Sequence, residues 1–126
     1  MIGYVVLGTN DLPRAKQIYD TLLAEMGVSR LMEFGGRGYG WAASMEHPML
    51  CIMTPYDGEP ATVGNGVMAG ISVASQDLVD RIHSKALELG GKNEGDPGSR
   101  AEGGEGFYAA YFRDLDGNKL DVFCYG

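Results

Sequence analysis

Laid out as two stacked halves, the chain repeats itself at an offset of 64 residues. Asp11 falls on Ser75, Ile18 on Ile82, Leu23 on Leu87 and Gly27 on Gly91. Each half reads as a strand, a cap, an amphipathic helix, a glycine and further strands. A repeat constrains fold more than any local propensity, because each copy must be a similar supersecondary unit. Two copies are too few for a solenoid. The pattern predicts an α+β fold of two βαβββ modules in a single domain.

The first copy opens on Gly3 to Gly8 (GYVVLG), which reads as a buried strand. Asn10 or Asp11 offers an N-cap, and Pro13 suits a first helical turn. Leu12, Ala15, Ile18, Tyr19, Leu22, Leu23 and Met26 share one helical face, and Gly27 ends the helix. Three strands follow, near Ser29 to Phe34, Tyr39 to Met45 and Met49 to Thr54. Module one spans about 1–58, and a turn-rich linker occupies about 56–65.

Module two spans about 66–126. Val67 to Ala74 is its first strand, and Ser75 caps a helix whose apolar face is Leu78, Val79, Ile82, Ala86 and Leu89. The polar, glycine-rich stretch Asn93 to Gly106 reads as a long loop. Phe107 to Arg113 and Lys119 to Tyr125 form a terminal hairpin, with Asp116-Gly117 in its turn.

Charge narrows the function classes. With 17 acidic and 10 basic residues, the net charge is −7. No stretch supplies the basic surface that counterion release from nucleic acid requires, so a nucleic-acid partner is not expected. An acidic surface would suit a cationic ligand. The apolar runs are too short to span a bilayer, no membrane partner is expected, and the opening strand pattern carries no leader. Cys51 and Cys124 read as reduced thiols, which points to a cytoplasmic location, the other reading being a disulfide that nothing in the sequence asks for.

Both modules, the hairpin segment FRDLDGNKLDVF (Phe112 to Phe123) and the opening GYVVLGTNDLPRAKQIYDTLL (Gly3 to Leu23) resemble the vicinal oxygen chelate superfamily. This group holds glyoxalases, bleomycin-resistance proteins, fosfomycin-resistance enzymes and ring-cleaving dioxygenases. The resemblance covers essentially the whole chain. It implies modules curled into a half-barrel around a cleft, a small-molecule ligand and a homodimer. It also implies metal ligands: a His in the first strand of a module and a Glu or His in the last.

Here the first-strand positions hold Tyr4 and Met68. The last-strand position holds Asp121, and its first-module counterpart falls nearest Cys51 if Leu50 is set on Leu120. A phenol titrating near 10 and a soft thioether do not replace imidazole. The two histidines, His47 in a loop and His83 in mid-helix, lie outside cleft strands. The expectation is a chain without metal or other cofactor.

Other motifs carry less. Gly117 comes too early for a calcium loop at Asp114 to Asn118, and Gly35 to Gly40 lacks the GxGxxG spacing. Asp121 alternates with Lys119 and Phe123 on one strand face. Desolvation there would raise its pKa toward that of a general base, the other reading being an exposed acid paired with a base. Tyr4, Trp41, Cys51, Met68, Tyr111 and Phe123 are candidate ligand contacts, with Trp41 as a stacking wall among small neighbours. Arg100 and Arg113 could close over a ligand anion or be surface charges. Tyr4 and Asp121 are the candidate catalytic groups. The function expected is small-molecule binding with lyase or isomerase chemistry of the lactoylglutathione-lyase kind by resemblance, or sequestration without turnover.

Overall fold

The computed structural model describes residues 1–126, which separate into two compact units, Met1–Val63 and Gly64–Gly126. In unit 1 the elements run β1 (Tyr4–Gly8), α1 (Leu12–Ala24), β2 (Ser29–Glu33), β3 (Gly38–Ala42) and β4 (Met49–Met53). In unit 2 they run β5 (Ala69–Ser72), α2 (Gln76–Glu88), β6 (Lys92–Ser99), β7 (Phe107–Arg113) and β8 (Lys119–Tyr125), with a 3-10 turn at Ala101–Gly103.

The two sheets have matching order, β1-β4-β3-β2 and β5-β8-β7-β6. In each, the first strand runs parallel to the last and the other pairs are antiparallel. Neither sheet closes into a barrel. The architecture is the α+β, twice-built βαβββ arrangement that the repeat implies.

Each helix is set by its ends and its stripe. The Asp11 side chain accepts from Arg14 N at the start of α1, and Ser75 accepts from Leu78 N at the start of α2. Gly27 follows α1 with φ of +75°, a conformation that costs other residues a Cβ clash. Ala15, Tyr19, Leu22 and Leu23 of α1 are buried in unit 1 together with Leu7, Trp41 and Ile52. Val79, Ile82 and Ala86 of α2 are buried in unit 2 together with Ala110, Phe112, Leu120 and Val122. One helix covers one face of each sheet. The other face carries the alternate residues and is left open within the unit.

The stretch read as a loop at Asn93 to Gly106 is a strand over most of its first half. β6 is an edge strand whose register with β7 shifts between Asn93 and Gly95 and again between Gly95 and Gly98. Bulges and an edge position tolerate the glycines and Pro97 that a central strand would not. The first bulge is held from the helix side. Buried His83 of α2 places Nε2 3.0 Å from Asn93 Oδ1 and 3.1 Å from Tyr111 O. Both partners are acceptors, so Nε2 carries the proton. Asn93 Oδ1 also accepts from Gly95 N at 3.0 Å, and Asn93 Nδ2 donates to Asp96 Oδ1 at 2.7 Å.

The terminal hairpin turn satisfies itself. Asp114 Oδ1 accepts from Asp116 N and Asn118 N, and Oδ2 accepts from Asn118 Nδ2. No helix of the chain is long and apolar enough to cross a membrane.

Candidate functional site

The strand register aligns the two copies residue by residue. In unit 1 Val6 pairs with Cys51, and Cys51 pairs with Gly40. In unit 2 Gly70 pairs with Asp121, and Asp121 pairs with Tyr111. Val6 and Gly70 are separated by the repeat offset, so Cys51 is the counterpart of Asp121. The offset grows to 70 here because the second module's connections are longer.

Unit 2 presents a row Gly70–Asp121–Tyr111–Gly95 across its open face. Asp121 is only 4% exposed, and its Oδ1 is buried without a hydrogen-bond partner. Desolvation drives its pKa upward, against weaker opposing effects from its own backbone N–H and the Lys119 charge. Burial likewise raises the Tyr111 phenol, helped by the nearby Asp121 carboxyl. Phe123 lies beside Gly70 and packs with Phe107 and Tyr125, ring centroids 5.5 and 6.2 Å away. The sequence placement of Lys119, Asp121 and Phe123 on one face is what the register gives, and Tyr111 joins them through its pairing with Asp121.

Two cations flank Tyr111. The Arg100 guanidinium carbon lies 5.4 Å from the ring centroid and Lys119 Nζ 5.8 Å. Arg100 donates through Nη2 to Asp96 O at 2.6 Å and through Nη1 to Ser99 O at 3.4 Å. Arg113, expected at a cleft rim, is engaged instead: Nε donates to Glu94 Oε1, and Nη1 to Gly117 O at 2.9 Å. Glu94 is held below the usual carboxylate range mainly by that hydrogen bond. A side chain so committed is not available to a ligand without breaking an ion pair.

Unit 1 differs. Its open face carries Tyr4, Val6, Met49 and Met53 around Cys51. Tyr4 is 67% exposed at the head of β1. Cys51 is buried, and desolvation raises its pKa, keeping it a thiol. A Cβ on Gly40 would meet Met49 Sδ and approach Cys51 Sγ at 3.4 Å, so the Met49 thioether and the Cys51 thiol both border the space over Gly40. Met68 precedes β5 and is 47% exposed.

Trp41 is not a wall of the open face. It is 1% exposed and turned toward α1, where it packs on Tyr19 with ring centroids 5.7 Å apart. Its Nε1 donates to Asp20 Oδ1 at 2.9 Å, and Arg30 Nε donates to the same oxygen at 3.1 Å. The cause is the strand period. In GYGWA, Gly38 and Gly40 take the open face and Tyr39 and Trp41 the helix face. Of the small neighbours that suggested an open stacking wall, Gly40 is the residue under Met49.

A hollow of about 720 Å³ in unit 1 also lies on the helix side, lined by Lys16, Asp20, Arg30 and Tyr39 among others. A second of about 520 Å³ sits on the open face over Val6, Gly8 and Met53, walled by Arg37, Tyr56 and Ala61. Sequence reading passed over Arg37, and no motif marks it. Asn10 pins this wall through a pair of bonds with Ala61, Nδ2 to O at 3.1 Å and N to Oδ1 at 2.7 Å.

The donor set does not fit the divalent metal that the superfamily resemblance implies. No group of three or more His, Cys, Asp or Glu side chains converges anywhere in the structure. His47 is in a surface loop, 2.7 Å from Ser44 Oγ, and His83 is committed to β6 and β7. A phenol, a thioether and a buried thiol stand at three of the four positions, and the Asp121 carboxyl alone does not make a divalent site.

No protein-family model matches the chain, and no curated protein matches it in sequence. Solved structures do. A glyoxalase/bleomycin resistance protein from Albidiferax ferrireducens T118 is 33% identical over 100% of this chain and 99% of its own, with a TM-score of 0.88. A glyoxalase/bleomycin resistance protein/dioxygenase family enzyme from Burkholderia phytofirmans PsJN is 14% identical over 98% of each chain, TM-score 0.75. A lactoylglutathione lyase from Agrobacterium tumefaciens is 20% identical over 98% of this chain and 92% of its own, TM-score 0.69. The latter two speak for the fold. The first, with its end-to-end match, carries the assignment: the chain belongs to the glyoxalase/bleomycin resistance protein family.

Proposed function

We propose that the protein binds a small organic molecule on the open face of its unit 2 sheet without a metal, with Asp121 as the polar group that recognises it. One observation carries this reading. Asp121 Oδ1 is a buried acceptor with no partner inside the chain, and such atoms are rare in folded proteins. A ligand donor on that oxygen would remove the deficit. The raised pKa lets the carboxyl keep its proton to a higher pH than an ordinary carboxylate, and the protonated form can donate as well as accept. A carboxyl tuned upward suits general acid–base chemistry of a lyase or isomerase. Tyr4, exposed on the open face of unit 1, is a candidate contact on that unit.

Sequestration without turnover is the second reading. The buried Cys51 thiol favours it, since a nucleophile or second acid–base group is thereby withdrawn from the open face. The homodimer belongs to the same proposal: β1 and β5 each end a sheet, and sheet edges are places that partners cover. So does a cytoplasmic location, supported by two free cysteines.

The test is a fragment screen read by NMR on wild type and Asp121→Asn, with the glutathione–methylglyoxal hemithioacetal assayed with and without Ni²⁺ or Zn²⁺. Ligands that shift open-face resonances and weaken in the variant support the proposal. Turnover of the hemithioacetal only with added metal, or binding indifferent to Asp121→Asn, overturns it. Elemental analysis finding one equivalent of metal per chain would do the same.

A further inference from the structure

The geometry points to an organic carboxylate as the ligand class, held by Arg100 over the Tyr111 end of the Asp121 row. The inference rests on the open-face binding proposed above and supplies its charge. It runs against the net charge of −7, because what a ligand meets is the local arrangement.

Arg100 is built into place. A Cβ on Gly98 would come 2.9 Å from its Nη1, and one on Gly95 would come 3.3 Å from its Nη2. The guanidinium therefore lies flat along β6 in space that only glycine leaves. Two backbone carbonyls fix its plane, and the Tyr111 ring supports it. Behind the platform, His83 and Asn93 hold the bulge on which Gly95 sits. This is the preorganisation that lowers the entropic cost of binding.

The cation is also unspent. Neither Arg100 nor Lys119 has a carboxylate within ion-pair distance, whereas Arg113 on the same sheet does. The Tyr111 hydroxyl makes no hydrogen bond within the chain. A planar guanidinium with N–H groups left over matches a carboxylate in charge and shape. The charged groups around the site are Arg100 from the end of β6, Lys119 and Asp121 from β8, and Glu102 from the turn between β6 and β7. One fixed guanidinium beside a phenol and a buried acid favours a monoanion over a phosphate dianion, which Asp121 and Glu102 would repel more strongly.

The test titrates 15N-labelled protein with benzoate, with phenyl phosphate, and with benzyl alcohol and benzylamine as neutral and cationic controls. Saturable benzoate shifts centred on Arg100 Nε–H and the Gly95 and Gly98 amides are expected, at least tenfold tighter than either control. Arg100→Gln should weaken benzoate at least tenfold, and the distant surface variant Arg81→Gln should not. Gly98→Ala keeps the charge but displaces the guanidinium, and should also weaken it several-fold. A spectrum otherwise like wild type shows that each variant folds. Equal binding by Arg100→Gln, tighter phenyl phosphate, or no saturable benzoate shift overturns the carboxylate. Benzylamine or benzyl alcohol binding at Asp121 instead would overturn it while leaving the open-face site standing.

Discussion

Gly70 and Asp121 pair across β5 and β8, and a Cβ on Gly70 would lie 2.7 Å from Asp121 Oδ1. The acid thus occupies the room that a side chain on the neighbouring strand would need, and it does so without gaining a hydrogen bond. The buried carboxyl and the bare strand beside it form one feature.

Asp121→Asn is expected to stabilise the protein at neutral pH by about 1 kcal/mol, because the amide leaves no charge to desolvate. The sign follows from the raised pKa. The native state holds the Asp121 proton more tightly than the unfolded chain does. Its contribution is fully present below the ordinary carboxylate pKa and is lost as pH rises through the higher folded value. The gain in the variant should therefore fade in acid. Urea unfolding from pH 3 to 8 checks this, and a gain that persists at pH 3 would count against it.

Gly38→Ala should destabilise unit 1 by about 1–3 kcal/mol. The new methyl would meet Ile52 O at 2.6 Å and Met53 Cα at 2.9 Å, backbone atoms that cannot swing aside. Gly3→Ala, where nothing lies within 4 Å, is the control. Chemical denaturation of the two variants separates steric cost from loss of glycine.

Trp41 fluorescence should be blue-shifted and resistant to iodide in the native protein, because the indole is 1% exposed. Trp41→Phe removes the hydrogen bond to Asp20 and should cost about 1 kcal/mol by urea unfolding. Strong native-state quenching by iodide would place the indole on the surface.

The thiols of Cys51 and Cys124 should react slowly with an aromatic disulfide reagent in the native protein and fully in denaturant, since both are buried and free. Met49→Ala should speed the Cys51 reaction by opening the space over Gly40 that both side chains border, read as a faster phase of one equivalent.

Much of this was legible in the chain. The 64-residue offset, Ser75, Asp11 and Gly27 set the modules and their helices, because caps and apolar stripes are local. The period of two placed Lys119, Asp121 and Phe123 on one face of β8. β6 was illegible because its signal is not its own: a glycine-rich edge strand with two bulges carries no alternation, and His83 and Asn93 hold it from outside. Trp41 misled for a related reason, since small neighbours say that one face is bare but not which face the helix covers. Arg113 and Arg100 are alike in sequence, and only Glu94 beside the one and the two glycines under the other distinguish them.

The sequence by itself determined the duplicated βαβββ plan and the absence of histidine at the positions of Tyr4, Met68, Cys51 and Asp121, since both are written in residue identity and spacing. The tertiary structure decided which side of each strand met a helix, and so that Trp41 is core, Cys51 is buried and Asp121 is left without a partner. Such outcomes depend on the neighbours that pairing brings from distant segments, and those neighbours have no local trace.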